Sequence, residues 1–442
     1  MIEKVKSLAG VCPACGKTHA LVTGEVYVES GATERLIRSL RGDSRKALVI
    51  CDGNTEKYAR RIAEGAGCEL FALPAGAHAT EITVEAVREF AREKGFGLLV
   101  ACGSGSIHDT VRYLAHEAEL PFYSYPTAAS VDGFVSGVAA MTWHGQKLTF
   151  PAVPPCAVFA DDAVYAEAPA RLTASGAADI LGKYTALFDW RVAHILCGEH
   201  LCERIYSLEL EALKETAYAV LHRSEYSACA YTKLIMNALL LSGLAMQLQE
   251  NSRPASGSEH HMSHFWEMHL INPEVDALHG EQVGVGLLCV LDAYHAFSAR
   301  DTLITDRMLH ADLSRVFDPA SLRPVFGSLT EGILKENMPD GVQSSSLARL
   351  NVVDRTEAER QLRSAFGGAS RKKRCRSHAS CMRCAGFAGR AGARRRRGIH
   401  PPQLHVCSVC TQSSDASETD CRRAPLIWLR STQGVTPAGG LP

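Results

Sequence analysis

From Ala47 onward the chain alternates short apolar runs with amphipathic stretches, and this alternation constrains the fold more than any other feature. ALVICD (Ala47–Asp52) is an unbroken apolar run and predicts a buried strand. TEKYARRIAEGAG follows as a helix that ends in glycine. CELFALPAG is the next strand. TEITVEAVREFAREKG is the next helix, opened by Thr80 or Thr83 and closed by Gly95. GLLVACGSGS is a strand breaking into a glycine loop, IHDTVRYLAHEAEL continues as a helix, and PFYSYPT and CAVFAD are two further strands. Strand–helix alternation at this spacing predicts a Rossmann-like parallel sheet wound on both sides.

Past Leu172 the pattern changes. TASGAADILGKYTALFDWRVAHILC, LEALKETAYAVLHRS, CAYTKLIMNALLLSGLAMQLQE and VGVGLLCVLDAYHAF all read as helices without strand-like alternation. The expected organisation is an N-terminal segment (1–20), a dinucleotide-binding α/β domain (21–169), an all-α second domain (170–366) and a tail (367–442). A length of 442 residues suits two domains.

The net charge of −1 conceals an asymmetry. After residue 366 there are 14 Lys/Arg against 3 Asp/Glu, a tail of +11, which leaves the preceding body at −12. An acidic body argues against nucleic acid as its partner. In the tail, Cys381-x-x-Cys384 and Cys407-x-x-Cys410 resemble two halves of a zinc site, but apolar periodicity vanishes there. A zinc module, a disordered basic arm and out-of-frame sequence are the three readings, with the last two favoured.

No run of 18 or more apolar residues occurs, and the start MIEKVKSLAG lacks the apolar core of a secretory signal, so no membrane span is expected and the cytoplasm is the expected location. Ten of the sixteen cysteines precede residue 367, mostly single and in apolar settings such as Cys51, Cys102 and Cys289. Such residues behave as small buried hydrophobes in a reducing compartment. CPACGKTH places Cys12, Cys15 and His19 at metal-knuckle spacing; half a zinc site and a plain turn with two free thiols both remain open.

Three stretches carry chemistry. Gly103-Ser104-Gly105-Ser106 ends a strand and starts a helix, where unpaired N–H groups and the helix dipole bind phosphate; it lacks the third glycine of G-x-G-x-x-G, so a tight turn is the competing reading. Asp52, ending the first strong strand, stands where an acid binds a ribose hydroxyl. YPTAASVDGFVSG offers small residues after a strand, suited to a crevice wall or to an ordinary loop. The stretch 257–286, GSEHHMSHFWEMHLINPEVDALHGEQVGVG, holds His260, His261, His264, His269 and His279. His260 and His264 share one helix face, and His279 returns in a His-Gly-Glu turn. A divalent ion needs a carboxylate beside such imidazoles. Asp179, in an otherwise apolar helix, either supplies it or forms a helical ion pair with Lys183.

Taken together, GSGSIHD, PTAASVDGF, ASGAADILGK, SRPASGSEHH and HGEQVGVG closely resemble the sn-glycerol-1-phosphate dehydrogenase family, including its AraM-like branch, over roughly residues 20–365. The resemblance implies the dehydroquinate synthase-like, iron-type alcohol dehydrogenase architecture. It implies reversible NAD(P)H-linked reduction of dihydroxyacetone phosphate to sn-glycerol 1-phosphate, a precursor of glycerophospholipids. It also implies one divalent ion (Zn, Ni or Fe) held by Asp179, His260 and His279. Asp132, Asp179 and His264 then serve catalysis or substrate contact, while His261 and His269 stay structural. Gly103, Ser104, Gly105, Ser106, Ile107, Thr127, Ala128, Ala129, Ser130 and Ser136 match the dinucleotide positions, with Asp52 on the adenosine ribose. Asp52 would repel a 2′-phosphate, which favours NAD over NADP.

Arg253 and Lys183 are the expected cations for the substrate phosphate, and His264, titrating near neutral pH, the expected proton relay. The family suggests a homo-oligomer, a dimer or larger. Glycerol dehydrogenase and 3-dehydroquinate synthase-like activities are the enzymatic alternatives; SRPASGSEHH and PTAASVDGF favour the glycerol phosphate enzyme. A zinc- and nucleic-acid-binding protein acting through the tail is the non-enzymatic one. The family's helical domain continues where this chain turns basic, so uncovered apolar surface is expected there.

Overall fold

The structure, a computed structural model, describes residues 2–268, 276–306, 318–337 and 354–369. His269 and the basic segment from residue 370 lie outside them. In chain order the strands are β1 (Gly10–Val11), β2 (Thr18–His19), β3 (Glu25–Val28), β4 (Ala47–Asp52), β5 (Glu69–Leu73), β6 (Leu98–Gly103), β7 (Phe122–Pro126), β8 (Val138–Trp143), β9 (Gln146–Pro151) and β10 (Ala157–Ala160). The helices are α1 (Ile2–Lys6), α2 (Ala32–Gly42), α3 (Glu56–Ala66), α4 (Glu81–Ala91), α5 (Gly105–Glu117), α6 (Asp162–Tyr165), α7 (Ala170–Cys197), α8 (Glu203–Leu221), α9 (Ala228–Gln249), α10 (Ser258–Glu267), α11 (His279–Ser298), α12 (Pro319–Phe326), α13 (Thr330–Asn337) and α14 (Arg355–Ala369).

Six strands form one sheet in the order β3-β10-β7-β6-β4-β5, every neighbouring pair parallel. All residues of β4 and β6 are buried because both faces of the sheet are covered. Val49, Cys51, Val100 and Cys102 join Leu36 and Leu40 of α2 and Ala59 and Ile62 of α3 in one apolar layer. The alternate residues Leu48, Ile50, Leu99 and Ala101 join Val84 and Val87 of α4 and Val111 and Leu114 of α5 in the other. Each fully buried aliphatic side chain of this kind contributes roughly 1.5–3 kcal/mol.

The predicted elements differ from the observed ones mainly at their ends. Thr80 caps α4 in a reciprocal pair with Thr83, but the helix stops at Arg92, whose backbone turns extended before Gly95 is reached. The β8–β9 hairpin was not expected. Its two-residue turn, His144-Gly145, has positive φ at both positions (50° and 79°), as the strand twist of a tight hairpin requires. Strand β3 is a four-residue sheet edge and too short to read from the sequence.

The described chain divides into two compact units. One comprises Met1–Leu187 and Cys202–Cys289, and the other Phe188–Leu201 with described residues from Val290 onward. The second packs Ala193, Leu196, Leu303, Ile304, Leu362 and Phe366 into its own core, with the Phe188 ring tilted against that of Phe366, their centres 4.6 Å apart. In the first, α9 is long and apolar enough to cross a membrane, although polar residues such as Lys233 and Asn237 break its apolar runs. Of its most apolar window, 61% is buried, and it packs on α8 and the 132–135 turn, which assigns it to the core.

Candidate metal centre and nucleotide crevice

Helix α7 carries the centre, and its small residues set how closely neighbours approach. A Cβ on Gly176 would lie 2.3 Å from the Ala129 carbonyl oxygen, and one on Gly280 would lie 1.9 Å from that of Ser175. The loop after β7 and the start of α11 therefore both rest on α7 backbone. Ser175 secures both, donating to the Ser130 carbonyl (3.3 Å) and accepting from the Gly280 amide (3.1 Å).

One turn further along, Asp179 is fully buried. One carboxylate oxygen accepts the Asp132 amide (3.0 Å); the other pairs with Lys183 Nζ (2.7 Å) and faces His260 Nε2 at 3.4 Å. Candidate donor atoms of Asp179, His260 and His279 all lie within 4.8 Å of one another. The structure thus brings together the three residues expected at a metal. It also realises the alternative reading, since the Asp179–Lys183 ion pair exists alongside that cluster. Lys183 is further engaged by Asp132 at 2.8 Å, and Ser242 donates to the same Asp132 oxygen. Burial opposes ionisation of Asp179, but Lys183, with help from the histidines, holds its carboxyl well below the usual range.

Two residues that the sequence did not single out orient the imidazoles. His260 Nδ1 meets Glu259 Oε1 at 2.7 Å, and His279 Nδ1 meets Glu267 Oε1 at 2.6 Å. Each contact places the ring proton on Nδ1 and turns the Nε2 lone pair inward, the arrangement of a metal-ligating histidine. Glu259 is itself held by Thr185 and the Gly257 amide, and Glu267 by Ser263 and Lys147. Their only sequence signal is adjacency to the histidines in SEHH and HFWE.

A divalent ion fits this donor set on two grounds. Asp179 accepts two hydrogen bonds where a carboxylate has about four lone-pair sites, so it retains coordinating capacity. The local carboxylates Asp132, Asp179, Glu259 and Glu267 outnumber the ammonium groups of Lys147 and Lys183 by two. Buried charge needs a partner, and a dication that takes the place of the proton on His260 brings the sum to zero. Burial and Lys183 oppose a proton on His260, yet Asp179 and Glu259 outweigh them and raise it to about 9. The site attracts positive charge.

His264 lies next to this cluster, its ring centre 6.2 Å from that of His260 and 5.9 Å from that of His279. Burial lowers its pKa to about 3, so the ring is neutral at pH 7 instead of titrating there as expected. His261 is likewise lowered by burial, to about 4. Glu209 of α8 is fully buried, and burial lifts its carboxyl to about 8, with Lys183 partly offsetting that rise. Lys183 is matched by two carboxylates and is not available as a phosphate cation in this arrangement. Arg253 is buried on the loop before α10.

The glycine loop lies at the C-terminal end of β6, where Ser104 stands at the N-cap of α5 without a side-chain cap bond. Thr127, Ala128, Ala129, Ser130 and Ser136 are buried along the neighbouring loop, and the Thr127 amide bonds the Gly103 carbonyl (3.1 Å). Arg112, also missed in the sequence, fixes this loop from within α5. Its guanidinium donates to the carbonyls of Ser136 (2.9 Å), Val138 (3.2 Å) and Gly133. Asp52 accepts from the Thr55 amide and hydroxyl, the Gly76 amide and the exposed Asn54 side chain. Those four donors fill its carboxylate, so a ribose would have to displace one of them.

Known proteins share this sequence and this fold. Residues 28–169 match the family model of iron-containing alcohol dehydrogenase. The chain is 33% identical over 347 residues to the glycerol-1-phosphate dehydrogenase [NAD(P)+] of Bacillus licheniformis, covering 75% of this chain and 82% of that protein. It is 34% identical over 303 residues to the enzyme of the same name from Bacillus subtilis, covering 65% and 75%. To that from Thermococcus kodakarensis it is 38% identical over 253 residues, covering 56% and 70%. The fold is shared with glycerol dehydrogenase from Schizosaccharomyces pombe (TM-score 0.51, 18% identity, 88% of this chain and 96% of that one). It is shared as well with an iron-containing alcohol dehydrogenase from Thermococcus thioreducens (TM-score 0.50, 20% identity, 79% and 100%). With the five motifs in order and a relative this similar matched over four-fifths of its length, the chain belongs to the glycerol-1-phosphate dehydrogenase family.

Proposed function

We propose that this protein reversibly reduces dihydroxyacetone phosphate with NAD(P)H and a proton, giving sn-glycerol 1-phosphate and NAD(P)⁺ for glycerophospholipid synthesis. The observation that carries this reading is the Asp179–His260–His279 cluster, with Asp179 and His260 buried, His279 half-buried and both imidazoles oriented by carboxylates. Asp179, His260 and His279 hold one divalent ion, Zn, Ni or Fe. When bound, that ion supplies Lewis-acid polarisation of the substrate ketone, and the nicotinamide supplies the hydride.

The chain's own residues do the positioning. The first-turn amides of α5 at Gly105, Ser106 and Ile107 receive the pyrophosphate, beside Gly103 and Ser104. Thr127, Ala128, Ala129, Ser130 and Ser136 wall the crevice, and Arg112 holds that wall in one shape. Asp52 takes the adenosine ribose by exchanging its bond to exposed Asn54, and its charge favours NAD. Asp132 contacts substrate and, through Lys183, fixes Asp179. His264, half-buried and neutral, relays the proton between the substrate oxygen and solvent by giving one up from one ring nitrogen as the other accepts one. Arg253 receives the substrate phosphate.

In this reading residues 21–169 bind dinucleotide and 170–366 bind metal and substrate. The protein is cytoplasmic, a location that the ten free cysteines of the described residues suit. It assembles as a homo-oligomer.

The test is NADH oxidation by the metal-loaded protein with dihydroxyacetone phosphate and, separately, with unphosphorylated dihydroxyacetone. Turnover at least 100-fold more efficient with the phosphate ester is the expected result. Preference for the unphosphorylated ketone would assign the protein to glycerol oxidation and remove Arg253 from its role.

A further inference from the structure

The knuckle CPACGKTH has only three donors in sequence, but the fold supplies a fourth. The candidate ligand atoms of Cys12, Cys15, His19 and Cys202 all lie within 4.8 Å of one another. Cys12 and Cys15 stand in the turn between β1 and β2, His19 ends β2, and Cys202 occupies the N-cap of α8, 190 residues away from Cys12. The turn is built to bring the first two together. The Cys12 amide donates to the Lys17 carbonyl and the Gly16 amide to the Cys12 carbonyl, both at 2.8 Å, with Gly16 at φ +74° where a side chain would be strained.

The distances match a tetrahedral ion. With bonds of roughly 2.3 Å to sulfur and 2.05 Å to nitrogen, ligand sulfurs stand about 3.8 Å apart and sulfur and nitrogen about 3.6 Å apart. Cys12 Sγ and Cys202 Sγ are separated by 3.8 Å, and Cys15 Sγ and His19 Nε2 by 3.4 Å. His19 Nδ1 lies 2.8 Å from the Leu248 carbonyl, which holds the ring proton on Nδ1 and leaves the Nε2 lone pair facing the sulfurs. Cys12, His19 and Cys202 are buried, and Cys15 is half-buried.

We infer that Cys12, Cys15, His19 and Cys202 form a structural zinc site that fastens the N-terminal segment to the start of α8 and the end of α9. Three soft thiolates and one imidazole select zinc, and four protein ligands leave no open position for a substrate. On binding, each thiol releases its proton to solvent. The site acts by closing a long loop, not by joining the reaction, and it stands whether or not the proposed reaction is correct.

The experiment measures zinc in the full chain carrying Asp179→Asn, so that the first cluster does not contribute. The protein is purified under reducing conditions, incubated with zinc chloride and freed of loose metal, and zinc is counted by mass spectrometry. One equivalent per chain is expected, falling below about one fifth when Cys15→Ser or Cys202→Ser is added. Cys202→His, which preserves a fourth donor, should keep the zinc, as should Cys229→Ser at an exposed thiol outside the cluster. X-ray absorption on Asp179→Asn alone, needing no cysteine variant to fold, should show three sulfurs near 2.3 Å and one nitrogen. Zinc content unchanged by both serine variants, an absorption spectrum without sulfur ligands, or a Cys12–Cys202 disulfide that persists through purification under reducing conditions would overturn the assignment.

Discussion

The Asp179–His260–His279 cluster draws its donors from three helices, whereas the Cys12–Cys15–His19–Cys202 cluster closes a turn onto a helix start. Both hold their candidate donor atoms within 4.8 Å, so proximity does not distinguish them. Donor chemistry and donor number do. The first set has three ligands, two imidazoles and a carboxylate, backed by Glu259 and Glu267 and flanked by Asp132, Lys183 and His264. The second has three sulfurs and an imidazole, four donors, the number a tetrahedral ion takes. An ion in the first set retains room for a substrate oxygen, and an ion in the second does not.

The contrast breaks most directly at Asp179. Asp179→Asn should remove the metal of the first cluster and lower kcat/KM by at least about a thousandfold, roughly 4 kcal/mol of transition-state stabilisation, as read by metal analysis and steady-state kinetics. Full activity in that variant would exclude Asp179 from the ligand set.

Gly280→Ala comes next. Its Cβ would meet Ser175 backbone at 1.9 Å, where no flexible side chain can yield, so His279 must shift. Overpacking of this kind costs about 1–3 kcal/mol. A fall of several degrees in Tm together with weaker metal binding is the expected result in a thermal melt and a metal titration.

Glu267→Gln keeps the shape but removes the charge that orients His279. Metal affinity should fall about 10–100-fold with little change in Tm. An unchanged affinity would show that the Nδ1 contact is incidental.

The smallest effect on metal binding and turnover concerns Glu209, which acts on stability. Its folded carboxyl holds a proton up to about pH 8, while the unfolded one releases it near 4.5. Between those values the native state binds more protons, so this group makes stability fall as pH rises, and the loss is complete above about 8. Glu209→Gln should flatten the decline in Tm between pH 5 and pH 8 relative to the parent. A parallel decline in both proteins would refute the buried neutral acid.

How much of this was legible in the sequence varies with the range of the interaction involved. Strands β4 and β6 were readable because both faces of a central parallel strand are covered, which leaves an unbroken apolar run. Helix α4 was readable at its start, where Thr80 and Thr83 cap locally, and not at its end, where Arg92 turns extended and Glu93 takes a positive φ of 64°, both short of Gly95. Glu259, Glu267 and Arg112 were invisible as site residues because a charged residue on a helix looks the same whether it faces solvent or braces an imidazole or a loop. Cys202 carries no motif of its own.

The sequence by itself determined the parallel α/β layer, the helical remainder and the residue types available for each cluster, because strand and helix periodicities and capping act over a few residues. Tertiary structure alone decided that Asp179 meets His260 and His279 while also pairing with Lys183, that Glu209 stays protonated, and that Cys202 arrives beside Cys12. Those outcomes depend on burial and on distances between segments far apart in the chain, and neither quantity exists until the helices pack.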